Sequence, residues 1–139
     1  QIEQITGRLP LMTIPEVEPF GPQVKLDCLV IMPCTGNTMA KLANAINDTP
    51  VCMAAKAQMR NHRPVVLAVT TNDGLGMNAR NLGALLVARN IFFVPFRQDN
   101  PVGKPTSIDA DIENYLLPTI LAAMEGRQVQ PLLLGPKES

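Results

Sequence analysis

Metal-ligand and acid–base chemistry have little to draw on in this sequence. It holds one histidine, His62, and three cysteines, Cys28, Cys34 and Cys52, an odd number without the spacing of a zinc site or a disulfide framework. Reduced thiols and no metal are therefore expected. Charge of neither sign is in excess, since Lys plus Arg and Asp plus Glu are 12 each. That balance argues against a nucleic-acid or anionic-membrane surface, because phosphate backbones demand a basic excess. No apolar run nears the roughly 20 residues of a membrane-spanning helix, and neither a secretory leader nor an internal repeat is read. What is present is a chain of 139 residues, 46% apolar and 17% charged. That length suits a single α/β domain with a real core over 1–139, and is too short for two ordinary domains.

Prolines 10, 15, 19 and 22 punctuate the start. Residues 2–5 read as the tail of a helix, 9–14 as a short strand, and the remainder of 1–26 as an irregular arm. The expectation is that an upstream strand–helix unit belongs to the fold and lies outside this chain. Residues 27–32, with a continuous apolar run from Cys28 to Met32, and the apolar runs at 65–69 and 91–94 read as strands buried on both faces, as in a parallel sheet. Between them, 37–46, 51–60 (with Pro50 in the first turn) and 78–89 carry apolar residues at helical spacing. Residues 95–105 read as a loop. A last helix is expected over 108–124, capped by Ser107, interrupted or kinked at Pro118 and ended by Gly126. Strands alternating with helices indicate a three-layer α/β sandwich with a mainly parallel sheet.

In such folds ligands lie beyond the carboxyl ends of the strands. The first strand runs into Pro33-Cys34-Thr35-Gly36-Asn37-Thr38, where hydroxyls, an amide and unpaired helix-start N–H groups can converge on an anion. An ordinary helix cap is the competing reading. The next strand ends in Thr70-Thr71-Asn72-Asp73-Gly74, which faces either a ligand or only the following helix. Asp73 would repel a dicarboxylate and is assigned a capping or structural role. Arg97 is read as a solvated loop arginine rather than a carboxylate partner, Lys41 as a solvated helix lysine, His62 as exposed, and Cys34 as a buried small residue.

The segment 26–43 resembles the flavoprotein family of flavin-containing cysteine decarboxylases and flavin prenyltransferases. Pro33, Thr35, Asn37, Thr38, Ala40 and Lys41 match its strand-end and helix-start pattern, with Gly36 standing for the usual alanine. At the next strand end those decarboxylases carry P-A-M-N. Here Val69-Thr70-Thr71-Asn72 keeps only the asparagine, and no cysteine follows Cys52, which argues against peptidyl-cysteine decarboxylation. Nearly the whole chain is similar to one branch, the B subunits of dipicolinate synthases. That similarity runs through Glu18-Pro19-Phe20-Gly21-Pro22, Met53-Ala54-Ala55-Lys56-Ala57, Thr71-Asn72-Asp73-Gly74-Leu75-Gly76-Met77-Asn78 and Asn90-Ile91-Phe92-Phe93-Val94-Pro95-Phe96.

The resemblance implies a Rossmann- or flavodoxin-like flavoprotein fold. It implies a part in oxidising dihydrodipicolinate to pyridine-2,6-dicarboxylate during sporulation, in the mother-cell cytoplasm, beside a dipicolinate synthase A subunit that holds the NAD(P) site. FMN is the cofactor it implies, at Pro33, Thr35, Gly36, Asn37, Thr38, Thr70, Thr71 and Asn72. Self-association into a homo-oligomer and a small dicarboxylate substrate belong to the same picture. The alternatives are a stand-alone FMN-dependent enzyme and a non-catalytic subunit that organises an oligomer. No residue is singled out as catalytic.

Overall fold

The computed structural model describes residues 4–6, 11–13 and 27–136. At its centre lie β3 (Leu29–Cys34) and β4 (Val65–Thr71), preceded by the short strands β1 (Gln4–Thr6) and β2 (Leu11–Thr13). β4 pairs in parallel with β3, through Leu29↔Val65, Val30↔Val66 and Ile31↔Leu67, and with β5 (Ile91–Phe93). Leu29, Val30 and Ile31 are as fully buried as Val65 to Val69. Burying each such branched side chain is worth about 1.5–3 kcal/mol, which makes these two strands the energetic centre of the domain.

Helices α1 (Gly36–Ala43), α2 (Pro50–Arg60) and α3 (Ala79–Leu86) pack along the sheet, α1 touching both α2 and α3. α4 (Ile112–Met124) lies against β4 and β5 and covers the other face, which is why consecutive residues of β4 are all buried. The expected α/β class and parallel centre are thus present. Thr49 caps α2, accepting the Cys52 N–H at 3.2 Å, with Pro50 in the first turn as expected.

The flanks of the sheet are antiparallel, and several local expectations give way there. Residues 4–6 are a strand, not the end of a helix: β1 pairs antiparallel with both β2 and β3. The expected irregular arm at 14–26 lies outside the described residues. The loop expected at 95–105 holds β6 (Phe96–Arg97), and the start of the expected last helix is instead β7 (Ile108–Ala110). Beyond Val94 the chain leaves β4, and β7 enters between β4 and β6, antiparallel to both. Ile108 and Ala110 are buried with Asp109 between them, a period of two that helical geometry cannot supply.

Ser107 is therefore not the cap of the last helix. Asp111 is, accepting the Asn114 N–H at 3.1 Å. The helix runs on through Pro118 without interruption. Pro118 is exposed, so the carbonyl one turn earlier can turn to water. Gly126 ends this stretch at φ 77°, as expected of the residue after a helix C-cap. The following segment folds back on the sheet: the Gln128 amide exchanges bonds of 2.8 and 2.7 Å with the N–H and carbonyl of Phe93, and Leu132 and Leu134 bond to Phe96.

Candidate functional site at the carboxyl ends of β3 and β4

β3 ends in a register shift between Ile31 and Cys34, where the Met32–Pro33 peptide is cis, and α1 begins two residues after Cys34. Thr35 caps α1: its hydroxyl oxygen accepts the Thr38 N–H at 3.3 Å and donates to the Thr38 hydroxyl at 3.3 Å. The first-turn N–H groups of Gly36 and Asn37 have no place in the helical ladder, so the helix start retains donors and the positive end of its dipole. Asn37 is exposed there, Pro33 and Thr35 are half-buried, and Thr38 is buried.

β4 ends beside this turn. Its last two side chains diverge, as alternation along a strand requires. Thr70 points outward and donates to Asp109 on β7 at 2.9 Å, whereas Thr71 turns toward α1 and donates to Asp73 at 2.6 Å. Asn72 is exposed, and its carbonyl accepts the Thr106 hydroxyl at 2.6 Å. The approach of the two loops is close: a Cβ on Gly36 would lie 2.6 Å from Thr71 Oγ1, 2.9 Å from Asn78 Nδ2 and 3.1 Å from Asp73 Oδ1. The absence of a side chain at Gly36 therefore serves loop–loop packing. The eight residues of the expected site fall at two adjoining strand ends, Pro33 to Thr38 where β3 passes into α1 and Thr70 to Asn72 at the end of β4. Asn37, Thr70 and Asn72 are its exposed members, while Gly36 and Thr71 face each other.

Behind this contact runs a chain of polar groups that sequence reasoning did not assemble. Asn78, 7% exposed, donates to the Gly36 carbonyl at 3.0 Å and to Asp73 Oδ1 at 3.3 Å. Its own carbonyl accepts from Asn81 at 2.7 Å, and Asn81 in turn accepts from Asn44 at the end of α1 at 3.0 Å. The Thr71 hydroxyl, aided by Asn78 and opposed by burial, holds the Asp73 carboxyl below its usual range. Asp73 thus has the structural role expected of it. Asn-rich spacing in 72–81 was the available signal, but nothing in the spacing shows which asparagine reaches back 42 residues to Gly36.

On the outer side of β7 lies a cavity of about 470 Å³, lined by Arg97, Asp99, Asp109, Asp111 and Glu113 among others. Arg97 is not a solvated loop residue: its guanidinium pairs with Asp111 at 3.2 Å and donates to the Gly135 carbonyl at 3.0 Å. Burial pushes the Asp111 carboxyl up, but donors from Asn114 and Arg97 outweigh it, and the group is held below its usual range. With Arg97 so engaged the cavity is acidic, and it repels a dicarboxylate. Lys41 pairs with Asp48 at 2.9 Å. His62 is exposed in the turn after α2, and Cys34 is buried. Among the described residues no group of three or more His, Cys, Asp or Glu is placed to hold a metal, and no helix is long and apolar enough to cross a membrane.

A parallel β3–β4 core with a capped helix start at the carboxyl end of β3 is an open α/β arrangement of the kind that binds ligands at its strand ends, and the model of the Flavoprotein family matches residues 12–113. The chain belongs to that family. Within it, the B subunit of dipicolinate synthase from Bacillus subtilis (strain 168) is 53% identical over 135 residues, 96% of this chain and 66% of the relative. The crystal structure of the dipicolinate synthase B subunit from Bacillus halodurans C superposes with a TM-score of 0.84 at 50% identity, covering 89% of this chain and 63% of that one. The branch inferred from the residue runs is the branch these relatives occupy. The chain spans slightly less than two thirds of their length.

Proposed function

We propose that this chain serves as the B subunit of a two-subunit dipicolinate synthase, contributing to the oxidation of dihydrodipicolinate to pyridine-2,6-dicarboxylate in the cytoplasm of a sporulating mother cell. The observation that carries this reading is the 53% identity spread over 96% of the chain. Identity at that level reaches loops as well as core, and the loops after β3 and β4 are where α/β folds put their chemistry. The A subunit is the partner and holds the NAD(P).

In the same reading, FMN lies across the two loops, held by Pro33, Thr35, Gly36, Asn37 and Thr38 on one side and Thr70, Thr71 and Asn72 on the other. The donor set fits an anionic group. First-turn N–H groups and the exposed Asn37 amide can bind a phosphate, and the Thr35–Thr38 pair keeps the turn in shape to do so. Thr70 and Asn72, exposed at the end of β4, are placed to orient whatever lies above the strand ends. Bound there, a flavin supplies hydride or electron transfer, and the polypeptide supplies position and charge. Thr71 and Gly36 contribute through the packing between the loops.

Reconstitution tests the assignment. Dipicolinate formation is measured with the A subunit alone, this chain alone and the two mixed; the mixture should exceed either by well over tenfold. Full activity of the A subunit unaided would refute a necessary role. Titration with FMN, followed by flavin fluorescence, tests the cofactor, and Asn37→Ala should weaken uptake while leaving the fold intact. Self-association belongs to the proposal as well, because Leu117, Leu121 and Met124 lie exposed at helical spacing along α4. Light scattering that returned only monomer would remove it.

A further inference from the structure

We propose that Asn78 is a positioning residue that fixes the first turn of α1, through the Gly36 carbonyl, in the geometry that takes the phosphate of a flavin. This rests on the flavin reading above. The argument begins with the direction of the bond. Asn78 precedes α3, where an asparagine ordinarily caps its own helix, yet its side chain makes no capping bond there. Its NH2 group instead reaches the first residue of α1, at 3.0 Å. The carbonyl it bonds belongs to the same peptide unit as the Asn37 N–H, one of the two helix-start donors outside the ladder. Holding that carbonyl fixes the plane of the peptide, and with it the direction in which the Asn37 N–H points.

The anchor is rigid from behind. Asp73, gripped by Thr71 at 2.6 Å, accepts the same NH2 group at 3.3 Å, and Asn81 occupies the Asn78 carbonyl at 2.7 Å. Asn78 is also buried. A buried amide with its bonds satisfied has one orientation, so the peptide it holds has one as well. The continuation through Asn81 to Asn44 ties the far end of α1 to the same cluster, leaving the helix little freedom to slide along β4.

If Asn78 served only to close the cluster, exchanging the carboxylate at 73 with the amide at 78 would serve as well, and this gives the test. In Asn78→Asp the donor to both Gly36 and Asp73 is lost. In the double variant Asp73→Asn with Asn78→Asp, the new NH2 group takes the place of Asp73 Oδ1 and can donate to residue 78 and to the Thr71 hydroxyl, which turns from donor to acceptor, so the cluster closes again. Residue 78, now a carboxylate, cannot donate to the Gly36 carbonyl. The swap should recover part of the thermal midpoint lost in the single variant, the rest being the cost of a buried carboxylate that faces the Gly36 carbonyl. It should leave FMN affinity about tenfold weaker than in the unaltered protein, the size expected for one lost buried hydrogen bond. It should also leave the amides of Thr38 and Met39 exchanging with deuterium roughly tenfold faster, while the amides of α2 keep their rates.

Recovery of stability together with wild-type amide exchange and affinity would overturn the proposal, because the cluster alone would then have sufficed. A swap that loosens the first turn of α1 in a protein whose unaltered form takes up no FMN would sustain the positioning of the helix and remove the flavin reading. A swap that leaves the first-turn exchange unchanged removes the positioning role whatever FMN does.

Discussion

Replacing Gly36 with alanine measures how tightly the two loops of the candidate site are fitted. The added methyl would stand 2.6 Å from Thr71 Oγ1 and 2.9 Å from Asn78 Nδ2, against 3.4–4 Å for ordinary contact. Thr71 is β-branched and is held by its bond to Asp73, so it cannot swing aside without giving that bond up. Asn78 is likewise fixed on both sides. Overpacking of this kind costs about 1–3 kcal/mol. Alanine recovers up to about 1 kcal/mol over glycine as a helix former, less at the first helical position. The net expectation is a loss of about 1–2 kcal/mol, or roughly 3–8 °C in Tm. Urea unfolding followed by circular dichroism reads it directly. Thr71→Ala removes the nearest obstructing atom, so the pair Gly36→Ala with Thr71→Ala should be more stable than the sum of the single effects by about 1 kcal/mol. An alanine variant as stable as the parent, or strict additivity in the pair, would refute the reasoning.

Acid should expose the Arg97–Asp111 pair. The folded carboxyl lies below its ordinary value, so its contribution is full above the ordinary carboxyl pKa and is lost as pH falls through the lowered one. Asp111→Asn keeps an N-cap and should flatten part of the fall in urea midpoint below about pH 4; an unchanged acid limb would show that the pair contributes nothing. Arg97→Ala, which strands a buried carboxylate, should cost about 1–3 kcal/mol, with water from the neighbouring cavity softening the loss. Burial, and Asp27 beside it, push the Cys28 thiol up to about 11, and Cys34 and Cys52 are also buried. A thiol reagent should therefore label the native protein slowly and all three cysteines promptly in denaturant. Pro118→Ala restores the missing bond to the Asn114 carbonyl at an exposed position of α4, and should stabilise by about 1–2 kcal/mol after allowance for the looser unfolded chain; a destabilised variant would mean that the ring packs usefully.

The parts of the fold legible in the sequence were those in which one physical signal dominates. Long apolar runs gave β3 and β4, and Thr49-Pro50 gave the start of α2, because double-sided burial and capping are local demands. β7 was not legible. Three residues of alternation in Ile108-Asp109-Ala110 are too few to separate a strand from the start of a helix, and only the neighbours β4 and β6 make it a strand. The same holds for β6, two residues long. The capping error follows directly: once β7 takes residues 108–110, the first free acceptor before the helix is Asp111 and no longer Ser107. At the candidate site both loops could be named from sequence, since each follows a recognisable strand. Their mutual fit at Gly36, Thr71 and Asn78 could not, because it depends on how far apart two parallel strands end.

The bond pattern between Gln128 and Phe93 bears on how this molecule behaves at high concentration. An amide side chain presents a carbonyl and an NH2 side by side, the same pair of functions that a neighbouring strand would offer. Here both are already engaged with the Phe93 N–H and carbonyl. An incoming strand from another molecule finds those two positions on β5 taken, and Leu132 and Leu134 occupy the next ones at Phe96. A single glutamine and a few residues of returning chain thereby deny this border of the sheet to intermolecular pairing, the route by which exposed strands lead to aggregation.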